Sequence, residues 1–297
     1  MLSADKWTEY EIIDAANGHK LERWAEIVLD RPDPQIIWSQ KSDINAWDEA
    51  HARYHRSKSG GGEWEFNKKI PEQWQIQYKN LTFNVKPMGF KHTGLFPEQA
   101  VNWDFMQEII LQSKRKISVL NLFAYTGGAT VACAAAGADV VHVDAAKGMV
   151  QWAKENAVSS GLADAHIRYI VDDCVKFVER EIRRGHKYDA IIMDPPSYGR
   201  GPKGEIWKFE DELHNLVSKC AKLLSDNPLF FIVNSYTTGI SHTIVANLLT
   251  MILQRHFGGT VTSDEIGLPI KSSGLVLPCG AATRWFKTEW GSKLDKS

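Results

Sequence analysis

Two rhythms of apolar and polar residues divide the chain. Up to about residue 95 the apolar positions come in short alternating runs, such as Trp64-Glu65-Phe66-Asn67 and LTFNVKP at residues 81–87. Asn17-Gly18, RPDP at residues 31–34 and SGGGE at residues 59–63 interrupt them. Alternation at period two between turn-forming residues predicts short antiparallel strands and hairpins rather than long helices. From Pro97, a residue suited to a first helical turn, Val101, Phe105 and Ile109 recur at helical spacing. Strand-like segments (117–123, 138–145, 166–173, 188–194, 228–235) then alternate with helix-like ones (129–137, 148–161, 174–185, 210–225, 242–257), and Gly137, Gly161 and Gly185 close three of the helices. Such β-α repeats predict a parallel sheet with helices on both faces. Two last strand-like runs, 259–270 and 274–287, are separated only by residues 271–273. Strands joined that tightly must pair antiparallel. The expectation is a small β-rich region over residues 1–95 and an α/β domain over residues 96–297.

Composition narrows the partners. Lys and Arg total 35 against 36 Asp and Glu, so the chain as a whole carries no bias toward nucleic acid, membrane or acidic ligands. A polyanion would have to meet a local patch. Cys133, Cys174, Cys220 and Cys279 lie far apart without a C-x-x-C pair, which argues against a zinc site and a disulfide framework. His51 and His55 sit four apart without a third ligand nearby, and read as solvated histidines on a short helix, so no metal is expected. Arg180, Arg183, Arg184 and Lys187 are interleaved with Glu179 and Glu181 and read as a surface face. No basic-then-apolar leader opens the sequence and no run nears the roughly 18 apolar residues of a membrane span. The expectation is a cytoplasmic protein without a membrane partner.

In an open α/β sheet, ligands bind beyond the carboxyl ends of the strands. The first such end, LNLFAYTGGAT at residues 120–130, passes through Thr126-Gly127-Gly128 into an Ala-rich helix. Glycines there let backbone approach a ligand and leave helix N-terminal amides to meet it, and a tight turn needing glycine for itself fits as well. Asp144 ends the second strand 17 positions after Gly127, where a carboxylate can accept both ribose hydroxyls of an adenosine or cap the next helix. The third strand ends in Asp172-Asp173-Cys174, and one of those acids can cap the helix that follows. The fourth ends in Asp194-Pro195-Pro196-Ser197-Tyr198. Two prolines stop the pairing and leave carbonyl oxygens without ladder donors, and Tyr198 adds a ring on which a base can stack. Acceptors plus a ring suit an amino-bearing heterocycle. Arg200 and Lys203, on the glycine-loosened loop beyond, suit phosphate contacts and equally a solvated loop.

A doubly wound sheet closed by a β-hairpin resembles the class I S-adenosylmethionine-dependent methyltransferases, whose sheet is Rossmann-like. A dinucleotide dehydrogenase would continue with a second βαβ half, and G-x-G-x-x-G spacing is missing. NLFAYTGG at residues 121–128 is similar to the version in bacterial large-subunit ribosomal RNA methyltransferases acting on carbon-5 of cytosine or nitrogen-7 of guanine, and in their stand-alone relatives. The resemblance implies S-adenosyl-L-methionine as cofactor, held by Asn121, Phe123, Tyr125, Thr126, Gly127, Gly128, Asp144, Ala145, Asp173, Cys174 and Asp194. In particular, Asp173 would take the adenine amino group and the Cys174 amide the ring. The segment GFKHTGLFPEQ at residues 89–99 resembles the family's K-T-G-F-F-L-D-Q, with His92 inserted and Ala100 where an arginine is usual. It adds Thr93, Phe96 and Gln99 as cofactor contacts. Asp194, Pro195 and Tyr198 would be catalytic. The cytosine enzymes carry a cysteine nucleophile on the loop after the fifth strand, and here that loop reads Asn234, Ser235, Tyr236. Nitrogen is therefore the expected methyl acceptor, on a base of structured, ribosomal RNA. The other readings are methylation of protein or small-molecule amines and, from another class, an NAD-dependent oxidoreductase. The β-rich region would guide substrate, pair two copies into a homodimer, or shield the cofactor.

Overall fold

The computed structural model describes residues 1–57, 61–200, 206–236 and 239–287, with residue 200 through its backbone alone. Its two compact units are Met1–Val101 with Ile266–Cys279, and Asn102–Glu265 with Gly280–Ser297. In the first unit, Leu2 and Ser3 (β1, Leu2–Ser3) pair parallel with Ile266 and Gly267. A five-stranded sheet follows, built in sequence order from β2 (Tyr10–Ala16), β3 (His19–Trp24), β4 (Ile27–Pro32), β5 (Ala52–Arg56) and β6 (Gly62–Phe66). Asn17 and Gly18 take left-handed backbone (φ 54° and 74°), the geometry of the two-residue hairpin turn that Asn-Gly favours. Neighbouring strands are antiparallel except β4 and β5. That parallel pair needs a crossover, and α1 (Ile44–Asp48) lies within it, capped by Asp43. A separate hairpin joins β7 (Trp74–Tyr78) to β8 (Leu81–Val85).

The two histidines are not on a helix. α1 ends at Asp48, His51 precedes β5, and His55 lies within it. Burial of Ala52 and Tyr54 on alternate positions overrides the four-residue spacing. His51 Nδ1 accepts from the Val28 amide (3.1 Å) and His55 Nε2 pairs with Glu65 Oε2 (2.6 Å). In the core of this unit, Glu22 is fully buried with Arg31 (Nη2 to Oε1 2.8 Å) and the Tyr10 hydroxyl (2.6 Å). Burial alone would raise the Glu22 carboxyl, but the Arg31 and Lys20 charges hold it down at about 2.

The second unit carries the alternating domain. After α2 (Ala100–Ser113) come β9 (Ser118–Leu122), α3 (Gly128–Ala135), β10 (Asp139–Asp144), α4 (Lys147–Ser159), β11 (Ile167–Val171), α5 (Cys174–Arg184) and β12 (Ala190–Met193). A short pair, β13 (Tyr198–Arg200) and β14 (Ile206–Lys208), precedes α6 (Phe209–Ala221), β15 (Phe230–Ser235) and α7 (His242–Leu249). A π turn (Thr250–Gln254) and α8 (Arg255–Phe257) lead to β16 (Thr260–Pro269) and β17 (Val276–Phe286). The strands run in the order β16-β17-β15-β12-β9-β10-β11. The last five are parallel and β17 is antiparallel to β15, so this is the Rossmann-like sheet with its terminal reversed strand. β12 and β15 are buried at every position, as central strands covered on both faces must be. Leu122, Met193 and Val233 pack with Phe177, Phe209 and Val217 in that core. Among the described residues, no helix is long and apolar enough to cross a membrane.

One local expectation changes. The segment after Tyr198 is not simply a loop: Tyr198, Gly199 and Arg200 pair antiparallel with Lys208, Trp207 and Ile206. The prolines end pairing to the main sheet, yet three residues later the chain pairs with itself. Lys203 and the Arg200 side chain lie outside the described residues.

Candidate active site

The ends of four parallel strands lie level along one rim. Leu122 pairs with Val143 on one side and Met193 on the other, and Asp144 pairs with Val171. The chain leaves β9 toward β10, and β12 lies on the opposite side of β9, so the strand order reverses there. A crevice at such a reversal is where open sheets bind ligands. Gly127, Asp144, Asp173 and Asp194 thus stand within the second unit on one edge of one sheet.

The turn after β9 has an unusual backbone. Phe123, Tyr125 and Gly127 take left-handed φ values of 53°, 51° and 83°, and the first two carry side chains that disfavour that region. Neighbouring strand ends hold it there. Phe123 N–H donates to Cys174 Sγ (3.2 Å), Ala124 N–H to the Val143 carbonyl (3.1 Å) and Tyr125 N–H to Asp144 Oδ2 (2.8 Å). From behind, the fully buried Asn156 of α4 donates Nδ2 to the Thr126 carbonyl (2.8 Å). The glycines are also sterically required. A Cβ on Gly127 would lie 2.7 Å from Ala153 Cβ, and one on Gly128 2.8 Å from the Trp103 ring. The tight-turn reading and the ligand reading therefore make the same demand.

Beneath the turn, Asn121 donates Nδ2 to Thr130 Oγ1 (2.9 Å), which in turn contacts His142 Nδ1 (2.9 Å). Asn121 is buried and its amide is engaged inside the sheet. Burial pushes the His142 imidazole down to about 4, and its Nε2 is buried without a partner among the described residues.

Asp144 accepts from Tyr125 N–H and, through Oδ1, from Ala146 N–H (2.8 Å). An ionised carboxylate offers about four lone-pair sites, so capacity remains for a cis-diol, and the site fits a nucleoside cofactor in that respect. Ala145 is exposed beside it. Asp173 caps α5, Oδ1 accepting from Lys176 N–H (2.9 Å), while Asp172 is held by Arg180. Cys174 is buried, its thiol pushed up by burial.

Asp194, half-buried, donates its N–H to the Leu122 carbonyl (3.3 Å). Pro195 is buried and the Tyr198 side chain half exposed. Near the end of β15, Asn234 is fixed through its Oδ1 by Asn102 Nδ2 (2.9 Å), whose own Oδ1 accepts from Arg284 Nε (2.8 Å). Burial pushes the Arg284 guanidinium down to about 10 against the opposing pull of Asp264.

Thr93, Phe96 and Gln99 belong to the first unit. There the Thr93 hydroxyl is fully buried without a partner among the described residues, Phe96 packs against His92 (5.4 Å between ring centres), and Gln99 closes a buried 3-10 turn, Pro97–Gln99. Sequence reasoning passed over Asn156, Asn102, Arg284 and Trp207. Asn156 had a signal, since it follows Trp152 and Ala153 on the buried face of α4. Trp207 had none, because strands of three residues leave no period to detect.

The sequence profile of the S-adenosylmethionine-dependent methyltransferases matches residues 35–239. The crystal structure of a SAM-dependent methyltransferase from Agrobacterium tumefaciens is 36% identical with a TM-score of 0.91, covering 96% of this chain and 92% of that one. SMU.776, solved in complex with SAH, shares the fold at 22% identity and a TM-score of 0.71, over 95% of this chain and 76% of its own. The ribosomal RNA large subunit methyltransferase K/L of Shewanella frigidimarina (strain NCIMB 400) is 32% identical over 161 residues, 53% of this chain and 21% of that protein. This chain thus spans about a fifth of the length of that curated relative.

Proposed function

The chain belongs to the S-adenosylmethionine-dependent methyltransferase family, and on that premise we propose that it methylates a nucleobase nitrogen in structured, ribosomal RNA in the cytoplasm. The observation that carries this reading is the Asp194-Pro195 end of β12 beside the β9 turn. The cofactor supplies an electrophilic methyl group, and the chain's own residues do the rest. The β9 turn, Asp144 and Asp173 orient the nucleoside. Asp194 Oδ and a proline carbonyl accept the two N–H bonds of an exocyclic amine and so point its lone pair, while Tyr198 stacks on the base. As the nitrogen gains positive charge, those acceptors stabilise it without reorganising; the methyl leaves a neutral thioether behind, and the proton the methylated amine must shed passes to Asp194 Oδ and on to solvent. A ring nitrogen needs still less help, since its lone pair is already available.

Nitrogen is favoured over carbon because the described part of the loop after β15 holds no cysteine, and the rim's Cys174 is a buried, protonated thiol bound to Phe123 N–H and to the Val143 carbonyl. RNA is favoured by the names of the curated relatives and by one basic stretch of the sequence. Residues 52–87 hold seven Lys and Arg against three Glu, in a chain of net charge −1. There the exposed Phe66 borders a cleft of about 490 Å³ with Lys68, Lys69, Ile70, Pro71, Glu72 and Pro87. The family match sets the oxidoreductase reading aside. Methylation of protein or small-molecule amines remains the competing substrate class. Tritiated-methyl transfer into total RNA, protein extract and metabolites from a strain lacking the gene decides: label in RNA is expected, and label confined to protein or metabolites ends the RNA reading.

A further inference from the structure

We propose that Trp207 is a positioning residue that determines which carbonyl of the Asp-Pro-Pro turn meets the substrate amine and ties that turn to the cofactor turn. The inference deepens the methyl-transfer reading and rests on it. Two successive prolines leave the carbonyls of Pro195 and Pro196 without ladder donors. An amine offers two N–H bonds, and Asp194 accepts one of them. With both carbonyls available, the second N–H would have two competing acceptors one residue apart, and the lone pair two directions. The structure removes one competitor: Trp207 Nε1–H donates to the Pro196 carbonyl at 2.6 Å. Among the described residues no donor reaches the Pro195 carbonyl, which stands next to Asp194.

The β13–β14 hairpin brings Trp207 to this position. It sets Trp207 opposite Gly199, and Phe209 N–H donates to the Ser197 carbonyl (3.1 Å), closing the chain back on the acceptor turn. The indole ring also packs on Phe123, with ring centres 5.6 Å apart at 49°. Phe123 is the first left-handed residue of the β9 turn. One side chain therefore touches both turns of the site, with its N–H on the acceptor and its ring on the cofactor turn. Small displacements between reacting groups are costly, so a bridge of this kind acts on rate more than on stability.

Two substitutions separate the two contacts. Trp207→Phe keeps a ring for Phe123 and deletes the N–H; Trp207→Ala deletes both. Turnover is read on whichever pool, RNA, protein or metabolites, takes methyl label from the wild-type chain, and S-adenosylhomocysteine affinity is read by calorimetry. Trp207→Phe should lower kcat about tenfold, the range expected for one lost orienting hydrogen bond, with an unchanged melting temperature and affinity within about twofold. Trp207→Ala should in addition weaken S-adenosylhomocysteine about tenfold. Wild-type turnover by Trp207→Phe overturns the choice of carbonyl, and wild-type affinity in Trp207→Ala overturns the bridge. Equal losses of affinity in both variants, with matching falls in melting temperature, reduce Trp207 to a structural residue and overturn both. Label in protein or metabolites instead of RNA would end the RNA reading while leaving this comparison intact. If the wild type labels no pool, methyl transfer itself fails, the choice of carbonyl falls with it, and the affinities alone decide the bridge.

Discussion

Asp194 is the residue on which transfer and binding should separate. Its backbone is fixed by the Leu122 carbonyl, so removing the side chain leaves the end of β12 in place while deleting the proposed acceptor of charge at the substrate nitrogen. Asp194→Ala should reduce kcat at least about a hundredfold, the scale seen when one preorganised polar partner of a transition state is lost. S-adenosylhomocysteine affinity should stay within about twofold, because the proposed site assigns most of that binding to the remaining strand ends. A matching loss of affinity in calorimetry would instead make Asp194 a cofactor residue. The placement of an acid or glycine at a strand end was legible from the sequence. Residues acting through long-range partners were not: the link from Arg284 through Asn102 to Asn234 joins positions more than a hundred residues apart.

At the scale of elements, α5 shows one residue serving two demands. Asp173 caps the helix through Oδ1, and the proposed site asks it also to take the adenine amine. Asp173→Ala should cost about 1 kcal/mol of stability from the lost cap together with cofactor affinity. Asp173→Ser, which can still accept the Lys176 N–H, should restore most of the stability in urea unfolding but little of the affinity. Recovery of both would mean that capping is the whole role of this acid. The same scale shows what periodicity discloses. Runs of five residues or more, such as β9, β15 and α4, announced themselves, as did the reversed last strand, through the short link at residues 271–273. The β13–β14 pair and the parallel β4–β5 contact did not. The first has too few residues to alternate, and the second depends on α1 carrying the chain across, which the pairing strands themselves do not encode.

Across the whole molecule, each unit contains an imidazole that the fold keeps neutral. Burial, with the Arg31 charge behind it, pushes His92 down to about 4, and burial alone does the same to His142. A histidine depressed from 6.5 to about 4 binds its proton more readily in the unfolded chain, so stability is complete above about pH 6.5 and lost as pH falls toward 4. Each group contributes at most about 1.4 kcal/mol per pH unit inside that window, and the partly exposed His92 less than the fully buried His142. The Glu22 pair works lower: its stabilisation is present above pH 4.5 and lost as pH falls toward 2. Mild acid should therefore weaken the fold through histidines well before it breaks the Glu22–Arg31 pair. Urea midpoints at pH 7.5 and 5.0 should diverge in the wild type, and less so in His142→Asn, which has no proton to gain. An unchanged divergence in that variant would remove His142 from the account. Since His142 lies under Gly127, 3.6 Å from where a Cβ would stand, cofactor affinity should decline over the same interval, and His142→Asn should flatten both curves together.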